Sequence, residues 1–460
     1  MKSIPVQQVE PDKGSDKIYV RSATGFYQKT RTVSLWALMG LYFAICWIQV
    51  DGRPMIHFDL PDRQFHLFGA TFWPQDFFIL TLLLIICAFG LFFITTLFGR
   101  IWCGYTCPQT AWTFIFMWLE EKVEGSRNKR MKLDRKGSLR EWLPRKAVKH
   151  ALWLGVAFWT GVTFVGYFYP IRELVPDIVT LNVTTAWAGF WIGFFTLATY
   201  LNAGWLREKV CLYMCPYARF QSVMFSPETR TVTYDFNRGE PRGPRKKDAD
   251  REELGLGDCI DCGICVQVCP TGIDIRDGLQ YECINCGLCV DACNDVMDKM
   301  GYPQGLIRYA TETEIETGNA RHWFQPRTLG YGVAMGLMIA AAAWMLTSRA
   351  PVELEVTRDR GGLYQTGSGG TIENSYTLKI TNRQTEAQTY QVTPLGPDGI
   401  ELLEPIETRV DSLGSRTLPA VVLIPRNSLG DVTTPVEFRV EATSSDASAT
   451  TETTFIGPGR

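Results

Sequence analysis

Histidine is scarce in this 460-residue chain: it occurs only as His57, His66, His150 and His322, and no Cys-x-x-Cys-His motif is present. An attached haem is therefore not expected. A surplus of either charge is missing too, with 46 Lys and Arg against 48 Asp and Glu for a net charge of −2. That balance excludes a basic nucleic-acid binder, and a 46% hydrophobic content excludes a disordered tail-like protein. Residues 351–460 contain no Cys, Trp or His. The first apolar run begins after residue 32, too long and without a small-residue cleavage site, so no cleavable signal peptide is expected.

What is present is unevenly placed. Of the 14 cysteines, eight fall between Cys259 and Cys293. A secreted disulfide scaffold spreads its cysteines through a small domain, so this clustering points to a thiolate-bound metal in a reducing compartment. The length allows two to four domains, each with a sizeable core. A mean hydropathy of −0.03 looks like that of a soluble protein, but it averages two different populations.

Five apolar runs are long enough to cross a bilayer: about 33–50, 77–98, 150–169, 186–206 and 328–347. Lys and Arg set the expected orientation. Six lie in residues 1–32 and eleven in 119–149, against two (Arg53, Arg63) in 51–75 and one (Arg172) in 170–185. The N-terminus, loop 119–149 and segment 207–327 are then cytoplasmic, and 351–460 is outside. The apolar stretch 103–118 is only 16 residues long, and as a sixth span it would expel the basic loop. It reads as a re-entrant or interfacial helix.

The most specific signal is Cys259-x2-Cys262-x2-Cys265-x3-Cys269-Pro270, repeated as Cys283-x2-Cys286-x2-Cys289-x3-Cys293. In this bacterial two-cluster ferredoxin spacing the fourth Cys of each run ligates the other cluster. One [4Fe-4S] cluster takes Cys259, Cys262, Cys265 and Cys293; the other takes Cys283, Cys286, Cys289 and Cys269. Paired zinc knuckles are the weaker alternative. Gly263 and Gly287 are expected to let the backbone approach the sulfides. Asn294 stands where the pattern has Pro, a change expected to loosen a turn without removing a ligand.

Two further pairs share one spacing: Cys103-Gly-Tyr-Thr-Cys107-Pro108 after the second run and Cys211-Leu-Tyr-Met-Cys215-Pro216 after the fourth. Both follow inward-going spans, so they lie at one depth. On a helix, positions i and i+4 share a face, while the prolines fit a helix boundary. Soft thiolates favour monovalent copper or iron–sulfur chemistry. Cys46 and Cys87 read as small buried hydrophobes, Met214 as packing, and His57 and His66 as solvated loop residues that could touch copper. The C-terminal 110 residues show strand alternation at Val352-x-Leu354-x-Val356, Tyr376-x-Leu378-x-Ile380 and Val436-x-Phe438-x-Val440. With the turn signal Gly396-Pro397-Asp398-Gly399, a β-sandwich follows.

The expected architecture is a multi-domain membrane protein with about five transmembrane α-helices, a cytoplasmic two-cluster ferredoxin insert and a C-terminal periplasmic Ig-like β-sandwich. Its parts are an N-terminal segment 1–32, a membrane domain 33–225, the ferredoxin domain 226–327, a fifth span 328–347 and the sandwich 351–460. This combination of motifs, in this order, resembles the cytochrome c oxidase accessory proteins of the CcoG family, also called FixG or RdxA. The resemblance covers nearly the whole chain. It implies a bacterial inner-membrane protein that reduces Cu(II) to Cu(I) in assembling a cbb-type oxidase, with copper as transient substrate or ligand at Cys103, Cys107, Cys211 and Cys215. The implied partners are a cytoplasmic electron donor, copper carriers and the oxidase assembly machinery. A NapH-like quinol dehydrogenase and a non-enzymatic copper-binding assembly factor are the alternatives, and homo-oligomerisation stays open.

Overall fold

The computed structural model describes residues 17–50, 52–180, 182, 186–247, 249, 251, 253–318, 325–359, 362–367, 370–384 and 386–458; His322 lies outside them. The chain divides into two compact units, Met1–Ala341 and Ala342–Arg460.

The first apolar run forms α1 (Phe26–Ile45), which starts before residue 33. Asp291, far along the chain, accepts from the Tyr27 and Gln28 amides at 3.2 and 2.7 Å and so satisfies the free donors of its first turn. The helix also ends early, because Gln49–Val50 (β1) pairs with Arg53–Pro54 (β2). The segment 51–75, expected to be a plain loop, holds a three-stranded sheet of β3 (Ile56–Asp59), β4 (Gln64–Leu67) and β5 (Ala70–Phe72).

Helix α2 (Phe77–Phe98) matches its run and stops at Gly99, whose φ of 57° is left-handed. The stretch 103–118 is divided between α3 (Ile101–Tyr105) and α4 (Pro108–Glu124). The basic stretch 119–149 is largely helical instead of a loop, with α5 (Arg127–Lys136) and then α6 (Leu139–Val165), which begins eleven residues before the expected 150. Its early start follows from Lys146 and Lys149, whose ammonium groups reach Glu124 at 3.0 and 2.9 Å. Helix α7 (Ile171–Thr180) occupies the expected loop 170–185. The fourth run is α8 (Ala186–Thr199) continued by a π-helical stretch, Tyr200–Leu206; a second π turn, Val210–Met214, leads to α9 (Pro216–Val223).

The cysteine-rich segment contains β6 (Thr231–Tyr234), α10 (Phe236–Gly239), α11 (Ile264–Gln267), α12 (Leu288–Met300), β7 (Ile307–Ala310) and α13 (Glu312–Thr317). β6 pairs antiparallel with β7, and Val232, Tyr234, Ile275, Val290, Met297 and Ile307 are buried around them. Helix α14 (Pro326–Thr347) takes the last apolar run. Among the described residues, α2, α6 and α14 are the helices long and apolar enough to cross a membrane. Helix α1 begins in charged sequence and α8 is 14 residues long before its π-helical continuation.

The second unit is an Ig-like sandwich of β8 (Val352–Arg358), β9 (Gln365–Thr366), β10 (Thr371–Asn382), β11 (Gln388–Leu395), β12 (Glu401–Leu402), β13 (Ile406–Val410), β14 (Ser415–Pro425), β15 (Thr433–Ala442) and β16 (Ser448–Ile456). One sheet runs β12-β14-β10-β8 with β9 on β10, the other β13-β11-β15-β16. The three alternating triplets fall on β8, β10 and β15, and their apolar side chains point into one core.

An ionic cluster fixes the end of the first unit where the cysteine pairs lie. Glu120 of α4, fully buried, pairs with Arg207 at 2.7 Å, Arg130 at 3.5 Å, Lys149 at 3.9 Å and also with Lys17. Burial alone would push this carboxyl up, but Arg207, Lys17 and Lys149 hold it down at about 2. Removing the charge leaves several buried cations uncompensated, so Glu120→Gln is expected to cost about 3–5 kcal/mol. In wild type the contribution is whole above about pH 4.3, the free glutamate value, and is lost as pH falls towards about 2. Thermal unfolding in detergent, followed against pH in both proteins, checks this: only wild type should lose stability through that window on account of this site.

Candidate metal centre

The eight clustered cysteines line two separate cavities. Cys269, Cys283, Cys286 and Cys289 line one; Cys259, Cys262 and Cys293 line the other; Cys265 borders both. Each cavity thus carries the four thiols that the spacing pairs across the two runs. Among the described residues no three His, Cys, Asp or Glu converge in the way a single metal ion requires, the four thiols of the Cys-x3-Cys-Pro motifs included. A cubane places each thiolate on its own iron, whereas zinc gathers four around one ion, so the donor set fits two [4Fe-4S] clusters better than zinc knuckles. Burial pushes the thiols of Cys265, Cys283 and Cys293 up to about 12, and their deprotonation therefore calls for bound positive charge.

The two runs fold alike. Gly263 and Gly287 are both left-handed, with φ of 64° and 72°, and each precedes a helix, α11 or α12. Nothing lies within 4 Å of a Cβ built on Gly263, while one on Gly287 would meet the Tyr27 ring at 2.8 Å. Conformation explains the first glycine and close packing the second. Asn294 needs correction: it lies inside α12, so there is no turn to loosen, and a proline there would break the helix. Its side chain accepts from the Gly305 amide at 3.0 Å.

Each Cys-x3-Cys-Pro motif brackets a helix start instead of occupying one helical face. Cys103 lies in α3, whereas Cys107 is extended (φ −63°, ψ 130°) and Pro108 opens α4. Cys211 lies in the second π turn, Cys215 is extended (φ −80°, ψ 110°), and Pro216 opens α9. A proline is tolerated at that first position because its missing N–H would have had no partner. Gln109 of α4 donates to the carbonyls of Asn202 and Arg207 at 3.0 and 3.2 Å, which brings the second motif beside the first. Two of the four thiols register the others: burial pushes Cys103 up to about 12 and Cys211 to about 11, and neighbouring cysteines of both motifs add to each rise.

Two residues of this site carry no motif. Arg100, 3% exposed, donates to the Ala218 carbonyl and lies close enough to Cys103, Cys211 and Cys283 for its charge to favour their thiolates. It therefore links the thiol quartet to a cysteine of the neighbouring cavity. Gln221, fully buried, accepts from the Cys103 thiol at 3.3 Å and donates to Thr95 at 3.2 Å. A charge placed two residues after an uncharged 22-residue run was the available signal for Arg100. Gln221 offered none.

The first motif packs directly on the loop of one cluster cavity. A Cβ on Gly104 would stand 2.8 Å from the Ile284 carbonyl oxygen and 3.0 Å from Cys286 Cα, and Tyr105 donates to the Cys286 carbonyl at 3.1 Å. Cys46 is buried as expected. Cys87 is exposed on α2 and Met214 is 60% exposed, so neither is packed within the protein as expected. His57 and His66 are buried, not solvated, and His150 on α6 bonds Tyr200 at 2.8 Å.

Models of known families match three stretches: a 4Fe-4S dicluster domain over residues 206–312, a 4Fe-4S binding domain over 80–124, and the IG-like fold at the C-terminal of FixG, putative oxidoreductase, over 342–458. Proteins RdxB and RdxA of Cereibacter sphaeroides are each 39% identical to the chain over 408 and 404 residues, 83% of it in both cases and 84% and 83% of their own lengths. Nitrogen fixation protein FixG of Rhizobium meliloti is 36% identical over 413 residues, 82% of this chain and 79% of its own.

Because Gly104 has no room for a methyl group against the cluster loop, Gly104→Ala must separate the two surfaces. The expected cost is about 1–3 kcal/mol of stability, with normal iron content and dithionite bleaching but slower reoxidation of the clusters by added Cu(II), the one-electron acceptor, in stopped-flow absorbance. Unchanged reoxidation kinetics would mean that this contact does not couple the quartet to the clusters.

Proposed function

Since the chain belongs to the FixG/RdxA family and is an iron–sulfur redox protein of the membrane, we propose that it reduces Cu(II) to Cu(I) for assembly of a cbb-type cytochrome c oxidase. The observation that carries this reading is the contact of the Cys103–Cys107 motif with the loop containing Cys283 and Cys286. Electron storage and soft-metal ligands are neighbours there. Each copper takes up one electron, and a reduced soluble one-electron donor of the cytoplasm replaces it.

Cys259, Cys262, Cys265 and Cys293 would hold one [4Fe-4S] cluster and Cys269, Cys283, Cys286 and Cys289 the other; when bound, the clusters supply one-electron storage beside the quartet. Cys103, Cys107, Cys211 and Cys215 receive copper. Burial keeps the Cys103 and Cys211 thiols protonated until a cation arrives, so copper binding there displaces protons from sulfur. Arg100 eases that loss, and Gln221 orients the Cys103 sulfur. Thiolates then retain the product, because soft sulfur prefers Cu(I). In this reading the chain lies in the bacterial inner membrane with five spans (α1, α2, α6, α8 with its π extension, and α14), the quartet and clusters inside and the sandwich outside; the Lys and Arg distribution supports that orientation. Copper carriers and the oxidase assembly machinery are the partners of this reading.

A second reading has support from the 4Fe-4S binding domain matched over residues 80–124, which includes Cys103 and Cys107: the quartet holds a third cluster. Iron content separates the two, about eight per chain for two cubanes and about twelve for three. For function, the purified protein is reduced with dithionite, freed of excess reductant and given Cu(II), with Cu(I) read by a chromogenic chelator. Copper reduction matching the recovery of cluster absorbance, and falling at least about tenfold in a Cys103→Ala, Cys215→Ala double variant, is the expected outcome. Reoxidation by quinone but not by copper would select the quinol dehydrogenase, and clusters indifferent to both would select a non-enzymatic assembly factor.

A further inference from the structure

The sheet before α2 holds two imidazoles that the proposed reduction does not use. In the register of β3 with β4, His57 stands opposite His66, and on β5 Thr71 stands opposite His66, so the three form one row across the sheet. Their neighbours on the other face, Phe58 and Phe65, pack together and Phe58 also meets Phe168, while the Phe58 amide donates to the Tyr167 carbonyl at 2.8 Å. The histidine row is thereby turned away from that aromatic cluster.

Both imidazoles are 8% exposed, with ring planes 11° apart and centroids 5.9 Å apart. Thr71 Oγ1 lies 2.9 Å from His66 Nδ1; in the tautomer whose Nδ1–H donates to Thr71, the Nε2 lone pair is left for a ligand. His57 Nε2 is buried with no hydrogen-bond partner. Buried polar atoms are normally paired, and two apolar residues would fill this row without leaving a nitrogen unmatched. A hydrogen bond that occupies one ring nitrogen and orients the other is the usual support of a metal-ligating histidine.

We propose that His57 and His66 form a two-imidazole copper-binding site, oriented by Thr71. Imidazole serves copper, zinc and nickel alike; the choice of copper rests on the cupric-reductase reading, whereas the site itself rests on the row of side chains. Its place is distinctive. The sheet precedes α2 and the cysteine quartet follows it, so the 22 residues of α2, about 33 Å at 1.5 Å each, separate the two. The imidazole site holds copper without changing its oxidation state and needs no electron partner there.

The test uses the full chain in detergent with Cys103, Cys107, Cys211 and Cys215 all changed to Ser and the clusters oxidised, so that the quartet neither binds nor reduces the probe. One equivalent of Cu(II) is added and its paramagnetic resonance spectrum recorded. Nitrogen coupling from two imidazoles is expected, disappearing in His57→Leu and in His66→Leu and persisting in His150→Leu and His322→Leu. Thr71→Val, a change that spares the apolar packing, should weaken Cu(II) binding by about 10–100-fold. Coupling that survives both His57→Leu and His66→Leu overturns the site, and displacement of the copper by equimolar Zn(II) overturns the metal assignment. Because this protein lacks the quartet, the outcome is independent of whether the wild-type chain reduces copper, so failure of one reading is distinguishable from failure of the other.

Discussion

Asn285 holds the cysteine-rich segment against the end of α2, and the arrangement of the redox site depends on that contact. The residue is 2% exposed and left-handed, with φ of 56°. Its side chain accepts from the Val232 amide at 2.7 Å and donates to the Phe98 carbonyl at 2.8 Å, so a single amide satisfies a strand N–H and one of the unpaired carbonyls that end a helix. Gly99 and Gly104, on either side of the turn that follows α2, are small enough for the backbone of the Asn285 loop to approach. Asp291, on the next helix, caps α1. The cysteine-rich segment is thus docked at several points, and Cys103 packs as a consequence against the buried cluster that contains Ile284, Cys286 and Leu288.

Electrostatics completes what packing begins. At one end of the quartet, Glu120 draws α4, α5, α6 and the π turn together through Arg130, Lys149 and Arg207, which sets Cys107 near Cys211. At the other, Arg100 faces thiols of both the quartet and the cluster loop. Buried charges are costly unless paired, and here each lies where it joins elements distant in sequence. The π-helical turn before Cys215 has a comparable role. Its wider backbone hydrogen bonds, such as Cys215 to Val210, re-aim the second cysteine pair, and interruptions of this kind recur at functional sites.

The eight clustered cysteines were legible as two matched runs because their spacing is local, and the structure gathers them around two cavities. Alternation made the strands of the sandwich equally plain, since one face of each is buried. Element ends were less visible. Helix α1 starts early because of a carboxylate more than 260 residues away, and α6 because its lysines find Glu124. The stretches 51–75 and 170–185, read as plain loops, contain a sheet and a helix; the helix buries Ile171 and Leu174 on one face, an amphipathic pattern too short to stand out beside the apolar runs.

Local chemistry in the sequence alone determined the two matched runs of clustered cysteines, the two matched cysteine pairs, the apolar runs and the cysteine-free sandwich, because each is written in residue type and spacing. Only the tertiary structure decided that the thiol quartet rests on one cluster loop, that Arg100 and Gln221 belong to it, and that His57 and His66 are buried side by side. The first two depend on long-range contacts through Asn285 and Glu120, which leave no periodic trace in the chain, and the third on the register of the local β3–β4 hairpin.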